Sequence, residues 1–469
     1  MLEGLEIVEI SLKNAVNYNG EFRWDSDFYK KEFIENENKL QKKHCFKFEE
    51  LTNFIKKGIF DLSPENYITE GVPFIRTSEI KSPIIDFNTT VFISNSVNNE
   101  NEKTILNPYD LVFTKIGAYI GDVAILPPLY KYYNFSQNVA GASISDKLNG
   151  SFLLAFYLSK FGKLQILRSQ MLSGQGKLEL DDIRNYLIPD VSENLKKTIK
   201  KIIDLSFKFI ADSETSFLQV FNSLYELLGL KNWQPTEKNT TIKSFKTSFG
   251  ESGRLDAEYY QPKFDEVLEV IKNTKFDKLG NIVSIKKSIE PGSDAYQTEG
   301  IPFIRVSDIS KFGLSEPEIH LDSKEFNIEG LKPKKDTILL SKDGSVGIAY
   351  KIEKDLNIIT SGALLHLTVK SKEILPDYLT IVLNSKLTQM QAERDAGGSI
   401  IQHWRPDQIQ EVLIPILPIA EQKKLSEQIQ QSFKNRQESI KLIEIAKKTV
   451  EMAIEKDEQT ALKWLAEVQ

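Results

Sequence analysis

The chain contains little cysteine and no long apolar run. Among its 469 residues Cys45 is the one cysteine, so an internal disulfide cannot form, which fits a reducing compartment. No uninterrupted apolar stretch reaches the roughly eighteen residues that a membrane span needs. The N-terminus also lacks the basic start and apolar run of a secretory signal. The sequence therefore predicts a cytoplasmic protein without a membrane association.

The motifs of common catalytic and cofactor sites are also missing. The four histidines show no metal-ligand spacing with one another or with the cysteine. There is no phosphate-binding loop ending in Lys-Ser or Lys-Thr. Asn107-Pro108-Tyr109 lacks the second proline of the amine-binding motif of amino-methyltransferases, so a turn before a strand is the better interpretation. We therefore expect a non-catalytic chain without a metal site.

The formal net charge is −6, whereas proteins that grip phosphates usually carry a basic excess. Such an excess need only be local, because an acidic exterior with two basic clefts gives the same total. Apolar residues make up 41% of the chain, which is enough to form buried cores. The composition therefore indicates a folded protein and leaves nucleic-acid binding open.

The decisive feature is an internal repeat. The sequence GVPFIRTSEI at 71–80 recurs as GIPFIRVSDI at 300–309, an offset of 229 residues. The preceding RWDSDFY at 23–29 recurs as RLDAEYY at 254–260. After these motifs the offset settles at 226, up to the Ile-Pro pairs that close each copy at 188–189 and 414–415. The chain is therefore a tandem duplication.

Each copy predicts an α+β module of short mixed strands plus a helix, about 170 residues long. The Gly-x-Pro-Phe-Ile-Arg element begins a strand, because Gly and Pro break the preceding segment. A second apolar strand runs from Asp110 into Lys115-Ile116-Gly117, and its counterpart runs from Asp336 into Lys342-Asp343-Gly344. A helix follows, roughly over 152–171 in one copy and 377–393 in the other.

Two long helices are predicted after the modules. Apolar residues recur at spacings of three, four and seven over 191–230 and again over 425–456. A helix of about 38 residues spans roughly 57 Å, and neither apolar stripe can stay exposed. We therefore expect the helices to pack antiparallel, with pseudo-two-fold symmetry. The predicted segments are a first repeat module (1–190), a central helical spacer (191–232), a linker (233–250), a second repeat module (251–417) and a distal helical region (418–469).

Polar residues at matched places are the candidate binding residues. Lys115 and Lys342 each lie in a Gly turn at a strand end, where they either reach a phosphate or remain solvated. Arg76 and Arg305 either contact DNA or pair with the acidic residue three positions later, and the pairing is slightly favoured. The loops at 174–177 and 399–405 differ between copies while their flanks match, which fits two different half-sites or ordinary loop drift.

The candidate DNA-binding residues are Arg76, Thr77, Lys115, Gln137, Asn138, Gln175, Lys177, Arg305, Ser307, Lys342, Ser361, Ser399, Gln402, His403, Trp404 and Arg405.

The duplicated order of these motifs, followed by long helices, resembles the specificity subunits of Type I restriction-modification enzymes. Glu421-Gln422, just after Leu417-Pro418, strengthens the likeness, which covers essentially the whole chain. The first copy departs from the pattern at Asn194-Leu195-Lys196, where the second has Glu-Gln. This departure bears on a partner contact more than on the fold.

The resemblance implies that each module is a target recognition domain for one half of a split, asymmetric sequence in double-stranded DNA. It implies that the helices fix the gap between the half-sites and dock two modification (methyltransferase) subunits. Those partners bind S-adenosylmethionine, and restriction/translocase subunits join to cleave. The resemblance therefore implies that this chain binds no cofactor of its own. The alternative is a tandem-repeat protein-interaction scaffold without DNA binding. A reader from a related phage-defence system would differ in its partners and not in its mechanism.

Overall fold

The computed structural model describes residues 9–12, 15, 26–87, 89–117, 119–170, 176–398 and 402–468. The chain divides into two compact units. The first unit comprises Met1–Ile210 and Gln437–Gln469, and the second unit comprises Ala211–Arg436. Each unit therefore contains one copy of the repeat and a part of each long helix.

The first unit is built on a four-stranded antiparallel sheet in the order β2-β10-β7-β8. A three-stranded sheet, β6-β3-β9, joins the Phe-Ile-Arg strand β3 in parallel to β9. Small pairs form between β1 and β11 and between β4 and β5. The strands are β1 (Cys45–Lys47), β2 (Thr52–Lys57), β3 (Val72–Ile75), β4 (Ile80–Lys81), β5 (Ile84–Ile85), β6 (Val91–Ile93), β7 (Leu111–Thr114), β8 (Val123–Ile125), β9 (Asn134–Phe135), β10 (Val139–Ile144) and β11 (Leu187–Pro189).

The helices of the first unit differ from the prediction at one place. The single helix expected over 152–171 is two helices, because Ser159 adopts extended backbone angles and its hydroxyl donates to the carbonyl of Phe156. The first of the two is almost wholly buried under the sheet. The helices are α1 (Lys31–Gln41), α2 (Asn95–Glu100), α3 (Lys147–Leu158), α4 (Lys160–Gln170), α5 (Leu180–Asn185) and α6 (Glu193–Leu227).

The second unit repeats the strand arrangement of the first. Its four-stranded antiparallel sheet has the order β13-β21-β18-β19, and its three-stranded sheet has the order β17-β14-β20 with β14 and β20 parallel. The duplication seen in the sequence is therefore a duplication of the fold. The strands are β12 (Phe276–Lys278), β13 (Val283–Lys287), β14 (Ile301–Ile304), β15 (Ile309–Ser310), β16 (Gly313–Leu314), β17 (His320–Leu321), β18 (Ile338–Ser341), β19 (Ala349–Lys351), β20 (Ile359–Thr360), β21 (Leu364–Val369) and β22 (Leu413–Pro415).

The helices of the second unit show the same interruption, here at Ser385, where the sequence had predicted one helix over 377–393. Ser385 repeats the contact of its counterpart, since its hydroxyl donates to the carbonyl of Val382. The helices after α6 are α7 (Phe249–Ser252), α8 (Pro262–Lys272), α9 (Leu279–Ile282), α10 (Ser323–Phe326), α11 (Pro376–Asn384), α12 (Lys386–Asp395), α13 (Pro406–Glu411), α14 (Ile419–Glu455) and α15 (Glu458–Val468). The end of α14 and the whole of α15 belong to the first unit.

The long helices α6 and α14 bury most of the apolar stripes that predicted them, although Ile440 of α14 is 47% exposed. In the first unit, residues of α6 and α14 share one core with the sheet and α3. In the second unit, the later part of α6 and the earlier part of α14 share one core with the four-stranded sheet and α11. There, the Oγ atoms of Ser213 and Ser432 lie 3.1 Å apart between the helices. The described part of the chain contains no helix with the length and apolar character needed to cross a bilayer.

One buried titratable group lies on the central sheet of the second unit. His366 on β21 is 6% exposed, and its Nε2 lies 2.8 Å from the Oγ1 atom of Thr360. Burial lowers the pKa of the imidazole to about 4, and the nearby Lys286 ammonium adds to the effect.

This low pKa predicts a loss of stability in acid. The unfolded state takes up the proton near its ordinary pKa of about 6.5, whereas the folded state resists it, so the free energy of unfolding falls as the pH drops toward 4. Between about pH 7.5 and pH 4.5 we expect this group to contribute a loss of about 3 kcal/mol. Urea titrations followed by circular dichroism should show a smaller loss in His366→Ala. Equal losses in both proteins would contradict the prediction.

Candidate nucleic-acid interface

In the first unit, three loops are tied together where β7 ends. The backbone N–H of Lys115 donates to the carbonyl of Asn138 (2.9 Å), which fixes the Lys-x-Gly turn to the loop before β10. The N–H of Leu178 donates to the carbonyl of Lys115 (2.9 Å) and fixes the segment that begins with Gly176 and Lys177. The described residues of these three loops therefore lie at one place.

The Phe-Ile-Arg strand meets the same place. Because β3 and β9 run in parallel, the N–H of Ser136 donates to the carbonyl of Ile75 (3.0 Å), which sets Arg76 and Thr77 beside the 136–138 loop. A cleft of about 320 Å³ lies between them. Its polar lining includes Arg76, Thr77, Gln137 and Asn138, and its apolar lining includes Ile59, Tyr67 and Phe74.

Two cations of this site have carboxylate partners. Arg76 donates to Glu79 from Nε (3.1 Å) and from Nη2 (2.7 Å), so the structural pair that the sequence favoured is present. This hydrogen bonding raises the pKa of Arg76 above its usual value. Lys177 pairs with Glu179 at 2.5 Å, but both side chains are about half exposed, and such a pair contributes little to stability.

The second unit repeats the loop anchors. The N–H of Lys342 donates to the carbonyl of Ala363 (2.9 Å), and the N–H of Trp404 donates to the carbonyl of Lys342 (2.7 Å). The N–H of Ser361 donates to the carbonyl of Ile304 (2.8 Å), directly before Arg305. These contacts place Arg305, Lys342, Ser361 and the loop after α12 at one end of the sheet, as in the first unit.

The side chains on this second scaffold are different. His403 is 61% exposed, and its Nδ1 lies 2.8 Å from Oδ1 of Asp343, whose carboxylate also contacts the Lys342 ammonium. Gln402 is exposed beside it and accepts from the N–H of Gly344 (2.9 Å) through its carbonyl. The pair with Asp343 fixes the orientation of the imidazole and leaves its Nε2 as the ring atom that can meet a ligand.

Trp404 was wrongly assigned to the DNA-binding set. It is 1% exposed and lies in the core of the second unit, where its indole cannot reach a ligand on the surface. At an offset of 226 its counterpart is Leu178, which is 0% exposed. The residue therefore anchors the loop. The repeat could have indicated the burial of Trp404, because the apolar Leu178 occupies the matched position.

The remaining candidates have simpler surroundings. Ser307 is exposed and donates to Asp308 (3.0 Å), and Arg405 pairs with Asp407 at 3.0 Å on the surface. Gln175 and Ser399 lie outside the described residues.

Asp343 was missed by the sequence analysis. The available signal was the middle residue of the Lys-x-Gly turn, which is Ile116 in one copy and Asp343 in the other.

Among the residues that the structure describes, no cluster of three or more His, Cys, Asp or Glu side chains could hold a metal ion.

The anchoring role of Trp404 predicts a stability effect. Removing a fully buried indole leaves a cavity, so Trp404→Ala should lower the free energy of unfolding by about 3–5 kcal/mol. The neighbouring Gln402→Ala, at an exposed position, should change it by less than about 0.5 kcal/mol. Denaturant titrations of the two variants test this expectation. If both variants lowered the free energy of unfolding by equally small amounts, Trp404 would again be a candidate DNA contact.

Comparison with known proteins gives the family. A family model for the Type I restriction modification DNA specificity domain matches the chain twice, at residues 41–215 and 271–447. The Escherichia coli Type I restriction enzyme EcoBI specificity subunit is 24% identical over 162 residues, which cover 33% of this chain and 34% of that subunit. The match thus spans about a third of that relative's length.

Two solved structures are also similar. The Type-I restriction-modification system S subunit from M. genitalium is 13% identical, with a TM-score of 0.37 over 88% of this chain and 95% of that one. The HsdS subunit from Thermoanaerobacter tengcongensis is 15% identical, with a TM-score of 0.29 over 88% and 97% of the two chains. Because the family model matches most of the chain in two copies, this chain belongs to the family of Type I restriction-modification specificity subunits, whose domains recognise DNA sequence.

Proposed function

We propose that this chain is a non-catalytic subunit that reads a bipartite, asymmetric DNA target and directs partner methyltransferase and restriction subunits to it. One observation carries the proposal. The two units hold equivalent loops by the same backbone hydrogen bonds, yet these loops present different side chains. A duplicated scaffold with unlike surface chemistry is what two different half-sites require.

The side chains at the loops suit the edges of base pairs. In the first unit, Gln137 and Asn138 offer both donors and acceptors, a combination that matches adenine in the major groove. Lys115 lies in the turn of the scaffold itself, where a cation suits a phosphate. The first unit therefore reads bases with amide groups and positions the backbone with a lysine.

The second unit uses an imidazole in place of these amides. Because Asp343 accepts from Nδ1 of His403, the neutral ring has an acceptor at Nε2. Such an acceptor matches the exocyclic amine of cytosine or adenine, and Gln402 beside it adds both kinds of hydrogen-bonding group. Because the two units present different hydrogen-bonding groups, we propose that their half-sites differ in sequence, which makes the whole target asymmetric.

The long helices supply the remaining functions. We propose that their length sets the number of base pairs between the half-sites, because α6 and α14 each contribute residues to both units. We also propose that they dock two modification subunits, which supply S-adenosylmethionine and the methyl transfer, and that restriction/translocase subunits join this assembly. The chain itself then needs neither a cofactor nor a catalytic residue.

The competing function is a protein-interaction scaffold, which the net charge of −6 suits well. The two functions differ in their dependence on salt. DNA binding releases counterions, so the logarithm of affinity falls with the logarithm of salt by about 0.9 for each phosphate contact. A scaffold that binds only proteins would not bind duplex DNA, so no such dependence of DNA affinity on salt would be measured.

We expect the full chain, with its modification subunit, to bind a labelled mixed-sequence duplex with steep salt weakening. Fluorescence anisotropy at several salt concentrations measures the slope. Lys115→Gln should lower it by about one, whereas the exposed linker variant Lys238→Gln should leave it unchanged. Absence of binding, or binding that salt does not weaken, would favour the scaffold.

A further inference from the structure

The acidic residue that follows the Phe-Ile-Arg motif differs between the two copies by one methylene group. In the first copy the acidic residue three positions after the arginine is Glu79, and in the second it is Asp308. Both carboxylates are buried, at 0% and 7% exposure, and both accept a hydrogen bond from the backbone N–H of their arginine (2.7 and 2.8 Å). The backbone geometry is therefore the same, and only the reach of the acid differs.

The longer acid fully engages its arginine. With its carboxylate already on the backbone N–H, Glu79 still extends far enough to accept from Nε and Nη2 of Arg76. A further bond runs from Nη2 to the carbonyl of Thr89 (3.2 Å). The guanidinium also lies over the ring of Tyr67, 5.7 Å from its centroid. Arg76 is thus held in place by its own unit.

The shorter side chain of Asp308 does not reach the guanidinium of Arg305. Oδ2 of Asp308 lies 3.7 Å from Nε of Arg305, beyond hydrogen-bond range, and the other oxygen accepts from Ser307 (3.0 Å). Nε of Arg305 is buried and has no hydrogen-bond partner among the described residues. The carboxylate therefore faces the guanidinium without a hydrogen bond to it, and the Arg305 side chain, which is 35% exposed, keeps its Nη donors for another acceptor.

Two buried hydroxyls without partners lie on segments next to the strand of Arg305. No described residue bonds to the Oγ atoms of Ser361 and Ser288. Ser361 donates through its N–H to the carbonyl of Ile304, and it forms a bridge with Ile289, which follows Ser288. Because these hydroxyls are buried, an external phosphate cannot reach them directly, and the case for a ligand rests on the exposed end of Arg305.

We propose that Arg305 donates to a phosphate oxygen of DNA at the second half-site, whereas Arg76 is structural. This inference rests on the proposed DNA-reading function. The arginine belongs to the repeated scaffold, not to the divergent loops, and scaffold cations position a duplex without reading its sequence. A phosphate supplies both the negative charge and the acceptors that the guanidinium lacks.

The test lengthens the acid. In Asp308→Glu the new carboxylate should engage Arg305 as Glu79 engages Arg76 and withdraw it from DNA. In the complex with the modification subunit, we expect about tenfold weaker binding to mixed-sequence duplex and a salt slope lower by about one. Arg305→Ala should give the same loss, and the double variant should lose no more than either single variant.

The matched control is Asp355→Glu. It adds the same methylene at an exposed position of the second unit, beyond the opposite end of β18 from the loop cluster. Its binding should equal that of the unchanged protein. The reciprocal variant, Glu79→Asp, should release Arg76 and increase the salt slope by about one. Circular dichroism confirms that each variant is folded.

The outcomes separate this inference from the proposed function. If the unchanged complex does not bind DNA, the proposed function fails. If it binds, and Asp308→Glu and Arg305→Ala bind equally well, the role of Arg305 is wrong while the function stands. If either variant changes the preferred sequence at one base pair, the arginine reads a base and the phosphate assignment is overturned. A uniform loss over all sequences supports the phosphate contact.

Discussion

In each unit, one backbone hydrogen bond fixes the variable loop to the Lys-x-Gly turn of the candidate site. The N–H of a buried residue, Leu178 or Trp404, donates to the carbonyl of the turn lysine, Lys115 or Lys342. Because this bond uses only backbone atoms, the side chains between α4 or α12 and the anchor can vary without loss of the scaffold. The large buried residue at the anchor excludes water from the bond and gives it a fixed position on the core. The candidate reading surface depends on this constraint.

Duplication of such a scaffold separates the fold from the specificity. The same contacts recur in both units, including the donation from Ser136 or Ser361 to the end of the Phe-Ile-Arg strand. The differences are confined to side chains, such as Asp343 with His403 on one side and Ile116 with Lys177 on the other. Even the arginine of the shared motif has diverged, because one methylene of its acidic partner decides whether the guanidinium is occupied. Small local changes can thus alter one reading surface while the other stays intact.

Much of this could be predicted from the sequence, because repetition and periodicity are properties of the sequence itself. The constant offset identified the two modules, the apolar stripes identified α6 and α14, and the pairing of Arg76 with Glu79 followed from their spacing. The break at Ser159 could not be predicted, since apolar residues continue across it and only its extended backbone ends the helix. The burial of Trp404 could have been predicted from the repeat, because the apolar Leu178 occupies the matched position. The pairing of Asp343 with His403 depends on a contact between distant loops. Composition and spacing contain no information on such distances.

The central claim is that each unit reads its own half of one split target. Its most direct test exchanges residues 20–190 for the first recognition domain of another family member and maps methylated adenines in cells that also contain the methyltransferase. The account predicts that one half of the methylated sequence changes while the other half and the gap remain as before. A change in both halves, or in neither, would contradict it.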